Sequence, residues 1–87
     1  MEQLTLKELR ELLEVRFPGV ELELEYVKPS KKIFGSVVWR GFVGKDQVKR
    51  QRMVWKVLEE RVSRGKQLQV SALLTFTPEE STAIHKG

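Results

Sequence analysis

Cysteine is absent from the chain, and histidine occurs once, at His85. The first absence excludes disulfides, thiol nucleophiles and thiolate metal ligands together. The second leaves one imidazole near the C-terminal end, expected to be a solvated side chain rather than a ligand. No apolar run approaches the roughly 18 residues that span a bilayer. Met1-Glu2-Gln3-Leu4 is acidic and leads straight into an element, so no signal peptide is expected. Only three prolines occur, Pro18, Pro29 and Pro78, and each falls at an expected element boundary. These absences fit a cytoplasmic protein without a membrane partner.

Charge, by contrast, is plentiful and unevenly spread. The formal net charge is +4, with 32% charged and 40% hydrophobic residues, as in ordinary soluble proteins. Residues 1–30 carry four basic and seven acidic side chains, net −3. Residues 31–66 carry eleven basic and three acidic, net +8, and residues 67–87 are net −1. A central basic block attracts phosphates or an acidic partner; its simpler reading is a solvated helix face.

The 87 residues make one domain, with an ordered core over about 4–82. Thr5 and Glu8 form a T-x-x-E capping box. Leu4 and Leu9 are placed to close a hydrophobic staple, and Leu6, Leu9, Leu13 and Phe17 recur at helical spacing up to Pro18-Gly19. Val20 to Tyr26 alternates strictly, with three glutamates toward water. After a turn at residues 28–32, Ile33 to Arg40 reads as a second, antiparallel strand. Gly41 to Gly44 then breaks the pattern. Asp46 caps a long helix predicted to run to about Ser63 and to be ended by Gly65. Its buried stripe is predicted to be Val48, Gln51, Trp55, Leu58 and Val62, widened by Val54 and Val57. Leu68, Val70, Ala72, Leu74 and Phe76 alternate as a third strand. Thr77-Pro78-Glu79-Glu80 opens a short final helix with a second capping box, and Ala83 to Gly87 is expected to fray.

The order is α-β-β-α-β-α. A right-handed strand–helix–strand crossover places the third strand parallel to the second. The expected fold is therefore a two-layer α+β domain, with a three-stranded mixed sheet covered by helices on one face.

Three segments resemble the BolA-like family. They are Phe17-Pro18-Gly19 before a strand, Phe42-Val43-Gly44-Lys45 followed by Val48-Lys49-Arg50-Gln51-Arg52-Met53-Val54-Trp55-Lys56-Val57-Leu58, and Leu74-Thr75-Phe76-Thr77-Pro78-Glu79-Glu80. They are similar to that family's FPG, F-x-G-K with V-x-R-H-R-L-V-Y-x-x-L, and YTPEE, and keep their order over roughly residues 10–80. The resemblance implies a fold like a class II KH domain. It also implies binding to monothiol glutaredoxins with a shared 2Fe-2S cluster, and for some members DNA binding in transcription regulation.

Against that pattern, the R-H-R histidine position is Gln51, and the histidine near the start of the third strand falls at Gln69. The Val27–Lys32 loop, where relatives offer His or Cys, holds neither. A neutral amide oxygen is a poor iron ligand beside thiolate or imidazole. No cofactor is therefore expected on this chain.

For nucleic acid, the candidate residues are Lys45, Lys49, Arg50, Arg52 and Lys56, of which about three can share a face. Gly41-Phe42-Val43-Gly44 spells the GXXG that clamps a backbone in KH domains, although a tight turn also needs glycine. Trp39 and Trp55 are possible stacking platforms, but their spacing suits core or interface positions. Glu59-Glu60 and Glu79-Glu80 are helix neighbours that diverge, and no nucleophile–base arrangement is present, so no catalysis is expected. Two functions follow: a module docking a monothiol glutaredoxin or similar thiol-redox partner without supplying ligands, or a module binding DNA or RNA weakly and salt-sensitively. Loss of both is a third possibility. The chain alone is expected to be a monomer.

Overall fold

The computed structural model describes residues 3–86, with the side chains of His85 and Lys86 outside that description. The elements are α1 (Leu6–Arg16), β1 (Glu21–Val27), β2 (Lys32–Val38), a single 3-10 turn (Arg40–Phe42), α2 (Gln47–Arg61), α3 (Arg64–Gln67), β3 (Val70–Phe76) and α4 (Pro78–Lys86). The sheet order is β1-β2-β3, with β1 antiparallel and β3 parallel to β2. This is the expected α+β architecture.

Local chemistry explains the helix starts. The Glu8 N–H donates to Thr5 Oγ1 at 3.0 Å and the Thr5 N–H to Glu8 Oε1 at 3.4 Å, completing the α1 capping box. Leu4 and Leu9 are both buried beneath it, with Leu13 and Phe17. Asp46 Oδ1 accepts from the Lys49 N–H at 2.9 Å at the head of α2. At α4 the Glu80 N–H donates to Thr77 Oγ1 at 3.2 Å and the Thr77 N–H to Glu80 Oε1 at 2.8 Å.

Four expectations are corrected. First, α2 ends at Arg61: Val62 is extended and packs on the core, and Ser63 caps the further helix α3, inside which Gly65 lies. Second, the buried face of α2 is Arg50, Val54, Val57 and Leu58. Val48 is 60% exposed, and Gln51, Trp55 and Val62 are only half-buried. The helix is rotated from its apolar stripe because an arginine with a carboxylate partner fills an inward position. Third, β3 buries Val70, Leu73 and Thr75, leaving Ala72 and Leu74 exposed and Phe76 half-buried. Ile33 pairs with Val70 but Phe34 with Ala72, so one residue, Ser71, is extra. A bulge of one residue reverses the side-chain phase beyond it. Fourth, β2 stops at Val38, since residues 40–42 coil into the 3-10 turn. Residues 83–86, where fraying is expected, lie within α4, and Gly87 lies outside the described residues.

The core lies between the sheet and the helices, from Leu4, Leu9 and Leu13 through Ile33 and Val37 to Val54, Leu58 and Leu73. One end is closed by three aromatic rings. Phe17 and Trp39 meet edge to face at 4.9 Å between centroids, and Trp39 and Phe42 at 5.4 Å. Trp39 Nε1 donates to the Pro18 carbonyl at 2.9 Å.

Candidate functional site

The parallel register gives β3 an outer edge. The Trp39 N–H donates to the Phe76 carbonyl, so Phe76, Leu74 and Ala72 turn their backbone groups to β2, and Leu73 and Thr75 turn theirs away. Those two outward carbonyls are met by α2. Gln51 Nε2 donates to the Leu73 oxygen at 2.8 Å, and Gln47 Nε2 to the Thr75 oxygen at 3.2 Å. Thr75 Oγ1 donates back to Gln47 Oε1 at 2.7 Å, and Trp55 Nε1 to Gln51 Oε1 at 3.2 Å. Residues 47 and 51 are one helical turn apart, so both amides project from the same side of α2.

Gln69 is also engaged. Its Oε1 accepts the Leu4 N–H at 2.7 Å, and its main-chain oxygen accepts from the Ile33 N–H at 2.7 Å. Beside it, Lys32 Nζ donates to the Leu68 carbonyl, and Lys66 pairs with Glu8 at 3.1 Å. Hydrogen bonding from Lys66 holds the Glu8 carboxyl below its ordinary value. The structure thus brings Gln69 to the end of the Val27–Lys32 hairpin, where Lys31 adopts φ 56°. Gln51 is elsewhere: its partner Leu73 lies about 13 Å farther along extended chain.

The basic residues separate in the same way. Lys49, Arg52 and Lys56 are exposed on the face of α2 opposite its core side. Lys45 is half-buried, and its carbonyl accepts from Arg50 Nε at 2.8 Å. Arg50 is the correction: it is 6% exposed, its Nη1 and Nη2 donate to Glu80 Oε1 at 2.7 Å and Oε2 at 3.2 Å, and its guanidinium lies 6.0 Å from the Phe42 ring centre. Three of its five N–H groups are used in this way, and its burial leaves little surface for a phosphate. Hydrogen bonding from Arg50, then from the Thr77 N–H, lowers the Glu80 carboxyl from its ordinary value.

Structural demands account for the glycines of the GXXG sequence. A Cβ on Gly41 would lie 2.3 Å from the Trp39 ring, and Gly44 has φ +81°. Phe42 between them is fully buried. Trp39 is committed to its aromatic cluster. Trp55 keeps part of its ring exposed, above an open groove of about 690 Å³ lined by Gln47, Val48, Gln51, Arg52, Trp55 and Lys56 and ending at Glu59. Sequence reasoning missed Gln47, although its spacing of four from Gln51 was the available signal. The side chain of His85 lies outside the described residues.

No family model and no curated protein sequence matches the chain. Among solved structures, BolA1 from Arabidopsis thaliana is similar to it, with a TM-score of 0.71 and 30% identity over 85% of this chain and 92% of that one. The chain belongs to the BolA-like family. The BolA domain of SufE1 from Arabidopsis thaliana is similar too, at 28% identity and a TM-score of 0.69, over 88% of this chain and 98% of that domain. A bolA protein homologue from Coxiella burnetii shares the fold, with a TM-score of 0.70 at 19% identity over 90% and 96% of the two chains.

The BolA-like resemblance raises a 2Fe-2S cluster as a possible group, and the residues at the matching positions do not fit it. Both glutamine side chains are engaged in internal hydrogen bonds, and the adjoining loop carries lysines, a proline and a serine. Among the described residues, no group of three or more His, Cys, Asp or Glu is placed to hold a metal ion. No helix among them is long and apolar enough to cross a membrane.

Proposed function

We propose that this BolA-like chain is a non-enzymatic docking module in the cytoplasm, binding a monothiol glutaredoxin or a related thiol-redox partner without contributing a ligand to its cluster. The observation that supports this most is the use of both family ligand positions as structural hydrogen-bonding groups. Gln51 ties α2 to the edge of β3, and Gln69 ties residue 4 to the start of β3. Neither presents a soft donor outward, while the BolA-like fold is intact. One similar structure is the BolA domain of SufE1, a domain within a larger protein, which is in keeping with an accessory role. The test is to add the chain to a monothiol glutaredoxin, with and without its cluster. Binding to the apo form by calorimetry, with an unchanged visible circular dichroism spectrum of the loaded form, is the expected pair of results. No heat with either form ends the glutaredoxin reading.

A second reading is favoured by Lys49, Arg52 and Lys56, which share one exposed face. They suit a phosphate backbone, and three contacts to a single strand correspond to a log K against log salt slope of about −2. Reversing these three charges removes such binding. Absence of binding to DNA and RNA at low salt leaves the block as a solvated face.

A further inference from the structure

The groove on α2 has a regular cause. Gln47, Gln51, Trp55 and Glu59 form one i, i+4 ridge, and Val48, Arg52 and Lys56 form the next. The depression runs between them for about 18 Å, three turns of helix. Grooves between such ridges are where a second helix seats its own ridge. We propose that this groove receives an acidic amphipathic helix of a partner protein. The inference deepens the docking reading given above and rests on it.

Three observations specify the occupant. Each ridge brings one apolar residue to the groove: Val48 is 60% exposed and Trp55 offers part of its ring, so an apolar ridge is wanted on the partner. The far wall carries Arg52 and Lys56, with Lys49 beside them, so the partner's flank there should be acidic. Glu59 closes the end and favours a neutral or basic residue opposite it. A strand is disfavoured as occupant. The edge of β3 next to this face has its Leu73 and Thr75 carbonyls already filled by Gln51 and Gln47, so an added strand would lose two of its ladder bonds.

The test is a nitrogen-15 NMR titration of the intact chain with four probes. These are a synthetic peptide of about 18 residues, long enough to be helical, with leucines every fourth position flanked by glutamates; the same peptide with lysines for the glutamates; oligothymidine; and an apo monothiol glutaredoxin. The acidic peptide is expected to shift the Trp55 indole N–H and the amides of residues 47–59 saturably. Val48→Glu and Lys56→Glu, both at exposed positions, should each weaken it about tenfold, with amide dispersion retained as the check on folding. Equal binding of the lysine peptide, no shift at Trp55, shifts on α2 from oligothymidine alone, or the same shifts from raising the protein concentration alone would each overturn the proposal. A glutaredoxin that binds away from α2 while the peptide fails removes this proposal and leaves the docking reading. A peptide that binds while glutaredoxin does not has the opposite effect.

Discussion

Gln51 reaches from α2 to the outer edge of β3, where its Nε2 donates to the Leu73 carbonyl at 2.8 Å. Gln47 does the same at Thr75, one turn earlier. An edge strand with free backbone groups is a template for pairing with another chain, and β3, Val-Ser-Ala-Leu-Leu-Thr-Phe, carries no charge to discourage that.

Removing this cover should therefore show in self-association. Gln47→Ala with Gln51→Ala should lower stability by about 1–3 kcal/mol and make the protein associate at concentrations where the wild type does not. Sedimentation velocity and urea unfolding measure the two effects. A double variant that sediments as the wild type does at every concentration would show that the glutamines are not guarding the edge.

The orientation of α2 predicts an order of mutational costs. Leu58→Ala, at a fully buried position, should cost about 2–5 kcal/mol. Trp55→Ala, at a partly buried position, should cost less than Leu58→Ala despite removing more atoms. Urea midpoints on the two variants decide it, and the reverse order would mean that the helix is turned toward Trp55.

The Arg50–Glu80 pair predicts an acid limb in stability. The Glu80 carboxyl titrates below its ordinary value of 4.5 in the folded protein, chiefly because Arg50 donates to it. A lowered folded value means stability that is present above the unfolded value and is lost as pH falls through the folded one. Glu80→Gln should lower the melting temperature at neutral pH, and the gap to wild type should close below pH 4.5. A gap of constant size across that range would assign the loss to the α4 cap rather than to charge.

Position 69 predicts a gain of cluster chemistry. Gln69 lies against the end of the β1–β2 hairpin through the Ile33 N–H, so Gln69→His with Lys31→His places two imidazoles in one neighbourhood. Added to a cluster-loaded monothiol glutaredoxin, the double variant should shift the visible circular dichroism spectrum, whereas wild type should not. A shift with wild type would point to a ligand elsewhere. A histidine at 69 must also replace the acceptor that holds the Leu4 N–H, so a modest loss of thermal stability should accompany the variant.

Much of the fold was legible because local chemistry and tertiary packing agree. The two T-x-x-E boxes, the Glu-x-Glu alternation of β1 and the crossover rule each demand one structure. The segments carrying the family resemblance also meet in space: Phe17 approaches Phe42 at 6.0 Å, and Arg50 grips Glu80. What was not legible depended on partners distant in sequence. Arg50 reads as a surface charge until Glu80, thirty residues on, is brought to it. The third strand is apolar on both faces, Val70 and Leu73 on one and Ala72, Leu74 and Phe76 on the other, so alternation could not choose, and the bulge at Ser71 chose instead. The groove on α2 escaped notice because Val48 and Trp55 look like core residues when the helix is rotated by its apolar stripe alone.

The bonding of Gln51 also bears on acidity. Its amide donates to a main-chain carbonyl and accepts from the Trp55 indole at the same time, and neither role depends on a proton. A neutral imidazole at that place has one donor and one acceptor and can do both, but imidazolium has two donors and must release the indole. With glutamine there, the link between α2 and the sheet edge keeps the same geometry through the whole range in which histidine titrates. The face carrying Trp55 therefore has no acid-triggered change built in at this position.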